Sequence, residues 1–285
     1  MKLLDGKKLA EKILNNLKKK IKKKKLKLTL AVVLVGENPI SEIFINQKKI
    51  ACEKIGIIFR LFKFPPEIGF LALKKEIEKI VKKPAVSGVV IQLPLPSQIL
   101  RRKTLEGEPK KFFPEEFLNL IPEEKDIDVL SEKSLGKFYQ GVLPILPPTV
   151  SGIFRLFKNY QIKVRGKNVV IVGAGRLVGF PLAIQLLREK ATVSVLNEFT
   201  KDTPFFTKKA DILISGVGKP NLIKREMIKR GAVVIDAGTS LWKGKLVGDV
   251  DFKSVSKKAS YITPVPGGVG PMTVACLIEN LTKII

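Results

Sequence analysis

The 285 residues include no histidine. That absence excludes Ser-His-Asp and Cys-His triads, imidazole metal sites and an imidazole general base. Proton transfer therefore falls to Lys, Asp, Glu, Tyr or Cys. Cysteine is nearly absent too: Cys52 and Cys276 lie far apart and form no CxxC. A disulfide framework and a structural zinc site are thereby excluded, and no metal is expected. Both thiols read as small buried apolar residues. No apolar run approaches the ~18 residues of a membrane span. The basic amphipathic start, Met1 to Lys20, lacks the continuous apolar stretch of a signal peptide, so a cytoplasmic protein is expected.

Acidic residues are scarce against basic ones, 26 Asp+Glu against 52 Lys+Arg, for a net charge of +26. Such a balance raises nucleic-acid binding, with Lys18 to Lys27 as the obvious phosphate-contacting block. Yet lysines occur in every segment, without interleaved aromatics or a nucleic-acid motif, so they read as solvated surface. No nucleic-acid or membrane partner is expected, although the positive field would attract anionic small molecules such as nucleotides.

What is present is an α/β alternation. Lys7–Lys25, Ser41–Lys54 and Leu71–Lys82 read as helices; Leu28–Val35, Ile57–Phe62 and Ser87–Ile91 read as strands. After a turn-rich stretch around Gly141 to Pro148 the pattern resumes, with strands expected at Asn168–Val172, Thr192–Leu196, Asp211–Ser215, Ala232–Asp236 and Ser260–Thr263. Helices are expected at Pro181–Glu189, Lys224–Arg230 and from Pro271 to about Lys283. Two α/β domains with parallel sheets follow, the second Rossmann-like.

Within the second half, Val169 to Val172 feeds the turn Gly173-Ala174-Gly175-Arg-Leu-Val-Gly179 and then a helix. Glycines in this context permit a tight turn and close approach to a pyrophosphate at a helix N-terminus. The third glycine follows Gly175 by one residue more than the usual GxGxxG spacing. Glu198 lies 25 residues beyond Gly173 (198 − 173). An acidic side chain near this offset accepts the ribose 2′-OH of NAD and repels the 2′-phosphate of NADP, which predicts a preference for NAD. Gly216-Val-Gly218-Lys-Pro220 and Asp236-Ala-Gly238-Thr239 end the next two strands, where such sheets bind ligands.

The most informative string is Tyr261-Ile-Thr-Pro-Val-Pro266-Gly267-Gly268-Val-Gly-Pro-Met-Thr273. It joins a strand-like run to a helix whose first turn holds Pro271. Together with Asn38-Pro-Ile-Ser-Glu-Ile-Phe44-Ile-Asn-Gln-Lys48, Val90-Ile91-Gln92-Leu93-Pro94-Leu-Pro96, and Pro122-Glu-Glu-Lys-Asp126-Ile-Asp128, it resembles the bifunctional methylenetetrahydrofolate dehydrogenase/cyclohydrolase family, with the motifs in the family's order. The Gly173–Pro181 turn resembles that family's cofactor turn, which more often has Ser at the place of Gly175.

The resemblance implies oxidation of 5,10-methylenetetrahydrofolate with NAD(P)+ and hydrolysis of the methenyl product to 10-formyltetrahydrofolate. It implies catalytic roles for Lys48, Gln92 and Asp126: the lysine serves the hydrolytic step, Gln92 hydrogen-bonds it, and Asp126 grips the pterin's donor edge. Phe44, Ile91, Leu93, Pro266, Gly267, Gly268 and Thr273 would line the substrate. Gly173, Ala174, Gly175, Glu198 and Thr239 would hold the cofactor, with Thr239 near the nicotinamide. It also implies a homodimer, tetrahydrofolate substrates with or without polyglutamate tails, and a C-terminal helix that returns to the first domain. The domains are expected at 1–141 plus 268–285 and at 142–267.

Three positions depart from the family. Phe44 stands where Tyr is usual, which keeps ring stacking and loses a phenol hydroxyl. Hydrolysis needs proton management and is the step this would weaken, so a monofunctional dehydrogenase is the alternative. A basic nucleic-acid-binding protein on an enzyme scaffold is the alternative from another class. Val129 replaces a common Gly, and Pro148-Thr149-Val150 replaces a usual Cys-Thr-Pro order.

Overall fold

The computed structural model describes residues 1–103, 109–111 and 113–284. The chain opens with β1 (Lys2–Leu3) and α1 (Gly6–Lys24), followed by β2 (Thr29–Val35), α2 (Pro39–Ile55), β3 (Ile58–Phe64), α3 (Phe70–Val81) and β4 (Gly88–Ile91). Short pieces β5 (Arg101–Lys103), β6 (Pro109–Lys111) and α4 (Glu115–Leu118) lead to α5 (Glu132–Gln140) and α6 (Pro148–Asn159). Then come β7 (Asn168–Val172), α7 (Gly179–Arg188), β8 (Thr192–Leu196), α8 (Thr203–Thr207), β9 (Ile212–Ser215) and β10 (Val233–Asp236). The chain closes with β11 (Ser240–Trp242), β12 (Lys245–Val247), α9 (Phe252–Val255), β13 (Tyr261–Ile262) and α10 (Val269–Leu281). No helix among the described residues is long and apolar enough to cross a membrane.

The chain forms two compact α/β units. One comprises Ile13–Pro147 with Leu277–Ile285, the other Met1–Lys12 with Pro148–Cys276. These divisions differ from the expected 141/142 and 267/268 boundaries for a physical reason. The first strand, β1, pairs in parallel with β13, Lys2 opposite Tyr261 and Leu3 opposite Ile262, so the start of the chain belongs to the later unit. The last residues join the earlier unit: Asn280 donates to the carbonyls of Ile127 and Leu146 at 3.0 and 2.9 Å.

The earlier unit is built on the parallel sheet β3-β2-β4. Every residue of β2 is buried. Because successive strand side chains point to opposite faces, Ala31, Val33 and Val35 meet the apolar face of α3 (Phe70, Leu73, Ile77, Ile80, Val81), while Leu30, Val32 and Leu34 are buried on the other face. A strand covered on both faces reads as a continuous apolar run, which is how Thr29–Val35 reads. On α1, Ile13, Leu14, Leu17 and Ile21 are buried, whereas Lys18, Lys19 and Lys22 to Lys25 are exposed.

The later unit holds six parallel strands in the order β1-β13-β10-β9-β7-β8. From β7 the chain goes to β8 on one side, then crosses to β9 on the other. The topological switch point therefore lies at the carboxyl end of β7, where sheets of this kind bind ligands. One sequence expectation fails here: Lys224–Arg230 forms only a single 3-10 turn at Arg225–Met227. Ile223 and Ile228 both enter the core, and residues five apart cannot share one face of an α-helix.

Candidate active site

In the earlier unit, α2 is fixed at both ends. The side chain of Asn38 accepts from Ser41 N at 2.9 Å, Pro39 begins the helix, and Gly56 ends it in the left-handed region at φ 84°. These signals are legible in the sequence. The helix carries Phe44 and Lys48 one turn apart on one face. Phe44 is half-buried, while Lys48 is 8% exposed.

Lys48 Nζ donates to Gln92 Oε1 at 2.7 Å, and Gln92 Nε2 donates to the Leu93 carbonyl at 2.9 Å. The residue before Gln92, Ile91, ends β4, and Gln92 N donates to Val33 O at 2.9 Å, which continues the sheet pattern past the strand. Gln92 thus stands at a strand end with its amide orientation set by Leu93. Burial lowers the pKa of Lys48; the negative field of Asp128, and behind it Cys52, works in the opposite direction. Cys52, a turn along α2 and fully buried, has its own thiol pushed up to about 12 by burial, then by Glu53.

The two aspartates of the Lys125-Asp-Ile-Asp-Val129 string have different surroundings. Asp126 is 2% exposed and turns its carboxylate onto backbone: Ser131 N at 2.9 Å and Leu130 N at 3.2 Å donate to it. Asp128 is the carboxylate in the field of Lys48. Although part of Asp128 remains open to solvent, the protein around its carboxyl pushes it up to about 6, against the pull of Lys48. Sequence reasoning placed the functional acid at Asp126; the geometry gives Asp126 a loop-forming position and Asp128 the one coupled to the lysine. Val129, next to it, is fully buried at φ 58°. A β-branched residue is strained in this region, which explains why Gly suits the position.

In the later unit, the register aligns the carboxyl ends of four strands: Val172 opposite Leu196 and Ser215, and Ser215 opposite Asp236. Gly173, Glu198, Gly216 and Thr239 therefore share one end of the sheet. Gly173 has φ 108°, and a Cβ there would lie 2.8 Å from Gly216 O; a Cβ on Gly179 would overlap Gly173 O. Gly175 has nothing within 4 Å of a Cβ position. Two of the three glycines are thus demanded by backbone packing, and the middle one is not. Val178 caps α7 without a side-chain hydrogen bond; in the helix's first turn Phe180 N donates to Gly175 O at 3.1 Å and Pro181 carries no N–H, which ties the glycine turn to the helix start.

Glu198 is exposed in a turn that Asn197 and Thr200 shape, with Asn197 N donating to Thr200 Oγ1 and Phe199 N to Asn197 Oδ1, both at 3.0 Å. The Pro264–Gly268 loop is held by backbone rather than by side chains. Lys7 N donates to Gly267 O at 2.8 Å, and a Cβ on Gly6 would overlap Gly268 O. Gly267 has φ 109°, and Pro266 is exposed. Thr273 shares a hydrogen bond with Thr149 at 3.2 Å and donates to Val269 O at the same distance. Among the described residues, no group of three or more His, Cys, Asp or Glu is arranged to hold a metal ion.

Sequence reasoning missed a further polar cluster. Asp236 and Asp249, 3% and 0% exposed, lie beneath the loops that follow β9 and β10. Burial pushes the Asp236 carboxyl up to about 7; three backbone donors act against this, and the charge of Asp249 adds to it. The available signal was the pair Asp236-Ala-Gly238 and Gly248-Asp249, two acids each with a glycine close by.

Two family models match the chain. The catalytic domain of tetrahydrofolate dehydrogenase/cyclohydrolase matches residues 4–128, and the NAD(P)-binding domain of the same family matches residues 147–285. The bifunctional protein FolD of Nautilia profundicola is 45% identical over 287 residues, covering 99% of this chain and 96% of that relative. The crystal structure of the bifunctional FolD enzyme from Campylobacter jejuni has a TM-score of 0.90 at 41% identity, covering 100% of this chain and 98% of its own. The Trypanosoma brucei FolD structure, a complex with NADP and an inhibitor, has a TM-score of 0.89 at 31% identity, covering 98% of this chain and 95% of its own. With models matching both halves and relatives aligned along nearly its whole length, the chain belongs to the tetrahydrofolate dehydrogenase/cyclohydrolase family.

Proposed function

We propose that this chain oxidises 5,10-methylenetetrahydrofolate to the 5,10-methenyl form and hydrolyses that product to 10-formyltetrahydrofolate. The observation that carries the reading is Lys48, a buried amine with a lowered pKa, held by Gln92 at 2.7 Å one turn from an aromatic ring. Burial of a lysine favours its neutral form, and a neutral amine is the form that accepts a proton.

In the oxidation, hydride leaves the one-carbon bridge and the two flanking nitrogens share the resulting positive charge. Phe44 offers a ring face on which the pterin stacks. Asp128, rather than Asp126, is the acid left to meet the substrate's polar edge, because backbone amides occupy the Asp126 carboxylate. Ile91 and Leu93 flank Gln92 and complete the apolar lining. In the hydrolysis, the water oxygen bonds to the bridge carbon and its proton passes to Lys48 Nζ. Collapse of the adduct breaks the bond to N5, which takes the remaining hydroxyl proton, and the formyl group stays on N10. Gln92 Oε1 orients the amine through both stages.

A bound nicotinamide dinucleotide supplies the hydride acceptor. The fit is supported by the tight Gly173–Gly179 turn at the switch point, both ends of which would strike backbone if they carried a Cβ, while Gly175 has open space around it. Gly173, Ala174 and Gly175 would hold the phosphates, Thr239 the nicotinamide end and Glu198 the ribose. A carboxylate exposed just beyond β8 supports a preference for NAD over NADP, although the Trypanosoma brucei relative holds NADP. A cytoplasmic homodimer acting on tailed or untailed folates completes the reading. Exposed Ile58 and Leu61 on the edge strand β3 support self-association.

The test is nicotinamide reduction by the purified protein with methylenetetrahydrofolate, run with NAD and NADP in parallel, beside the decay of added methenyltetrahydrofolate. Both activities, with faster turnover on NAD, are expected. Reduction without accelerated hydrolysis would instead give a monofunctional dehydrogenase, the outcome that Phe44 in place of Tyr would favour. Neither activity from folded protein would overturn the reading.

A further inference from the structure

Asp236 and Asp249 form a reciprocal arrangement. Asp249 accepts three hydrogen bonds: from Ser215 Oγ at 2.8 Å, Val217 N at 2.7 Å and Lys219 N at 2.9 Å. Its carboxylate therefore pins the loop after β9. Asp236 accepts from Gly238 N and Asp249 N at 3.0 Å and from Val250 N at 2.9 Å. Its own amide donates to Thr263 Oγ1 at 2.7 Å, which ties β10 to the end of β13. A Cβ on Gly238 would overlap the Asp249 carboxylate, and a Cβ on Gly248 would overlap that of Asp236. Each glycine thus makes room for the other residue's acid. Ser240 Oγ closes the arrangement by donating to Gly218 O at 2.7 Å, joining the two loops directly.

A hydrophobic filler would hold these loops together without the desolvation cost of a buried carboxylate. What a carboxylate adds is direction. Its acceptor sites fix where each backbone N–H points, and so the path of the glycine-bearing loops above. Those loops emerge at the carboxyl ends of β9 and β10, beside Gly173 at the switch point.

We propose that Asp249, supported by Asp236, is a positioning residue of the dinucleotide site, fixing from inside the domain the Gly216–Lys219 and Gly238–Ser240 loops that shape the cofactor's nicotinamide end. This rests on the dinucleotide reading above and adds a second tier of residues to it. The hydrolytic step consumes only water and folate, and relies on Lys48 and Gln92, so it provides an internal control for general damage.

The experiment compares wild type, Asp249→Asn and Ser215→Ala by calorimetric titration with NAD and NADP, by the KM for each dinucleotide, and by methenyl hydrolysis. An Asn at 249 must turn its amide group toward at least one backbone donor, so dinucleotide Kd and KM should rise by about tenfold or more. Hydrolysis should stay within about twofold of wild type, since that step uses no dinucleotide. Ser215→Ala removes one donor and should produce a smaller rise in the same direction; if Asp249→Asn does not fold, this variant decides. Unchanged Kd in folded variants, or hydrolysis falling in step with it, would overturn the proposal. A wild type that binds no dinucleotide would also overturn it. Wild-type dinucleotide binding without folate turnover would sink the functional reading alone, because Kd still reports on Asp249.

Discussion

Lys48 and Asp249 are both ionisable groups withdrawn from water, and their surroundings treat them in opposite ways. Asp249 is fully buried and accepts three hydrogen bonds. Lys48 carries three N–H donors when protonated, yet Gln92 is its one hydrogen-bond acceptor among the described residues. Saturation immobilises a charge and makes it structural. Under-satisfaction lowers the cost of losing the proton and leaves capacity for a substrate. Under the proposed function, the contrast divides a group that fixes shape from one that takes part in the chemistry, without reference to sequence motifs.

The largest effect that sharpens this comparison is at Lys48. Lys48→Met keeps much of the side-chain volume and removes the base, so methenyl hydrolysis should fall by roughly 10²–10⁴-fold, the range for a lost general base. Nicotinamide reduction, in which Lys48 transfers no proton, should fall much less. An equal loss in both activities, measured side by side, would show that Lys48 is there to hold the site together. In wild type the hydrolysis rate should rise with pH as the lysine deprotonates, and this limb should vanish in the variant.

A second comparison lies within the glycine turn. Gly179→Ala drives a methyl group into Gly173 O and should cost about 1–3 kcal/mol in stability, as overpacking does, along with dinucleotide affinity. Gly175→Ser meets open space and should leave both nearly unchanged. Thermal melts with and without NAD would reveal a reversed order, which would break the assignment of the turn.

The buried acids give a pH prediction of smaller size. The Asp236 carboxyl is raised to about 7 in the folded protein, above the value of about 3.9 for an unperturbed Asp. The folded state therefore binds its proton more tightly. The stability this contributes is complete below the unfolded pKa and is lost as pH rises through the folded one. Relative to Asp236→Asn, wild type should lose a few degrees of Tm between about pH 5 and about pH 8. Parallel melting curves across that range would remove the acid from the stability balance. The smallest effect expected is at exposed Glu198: Glu198→Ser should shift the NAD-to-NADP ratio of kcat/KM toward NADP by about tenfold or less. An unchanged ratio would leave the ribose without its proposed partner.

Much of the fold was legible because buried parallel strands are short apolar runs between turn residues. The expected bounds of β7 and β8 coincide with the observed Asn168–Val172 and Thr192–Leu196. α6 was not legible: Pro148, read as the end of a turn, is the first residue of a helix, a position where proline loses nothing. β1 has only two exposed residues and exists because β13 is beside it, which no local pattern encodes. In the site, Asn38, Pro39 and Gly56 announced the helix that carries Lys48, but the burial of that lysine depends on contacts formed far along the chain. Asp126 and Asp128 are alike as letters. The backbone amides of Leu130 and Ser131 decide between them, and their position follows from the left-handed conformation of Val129, which the sequence marks only as an unexpected residue.

The pairing of β1 with β13 has a consequence for how the protein is made. Lys2 lies opposite Tyr261, 259 residues later (261 − 2), and Lys7 binds the carbonyl of Gly267. At the usual ribosomal pace of about 5–20 residues per second, the first strand waits roughly ten to fifty seconds before its partner exists. Over the last part of that interval, once Val233–Asp236 has been made, the sheet edge at β10, which β13 will cover, is unpaired. A stall late in translation would therefore leave a nascent chain with an orphaned strand at one end and an open β-edge near the other, a combination that invites capture by a chaperone or by another nascent copy.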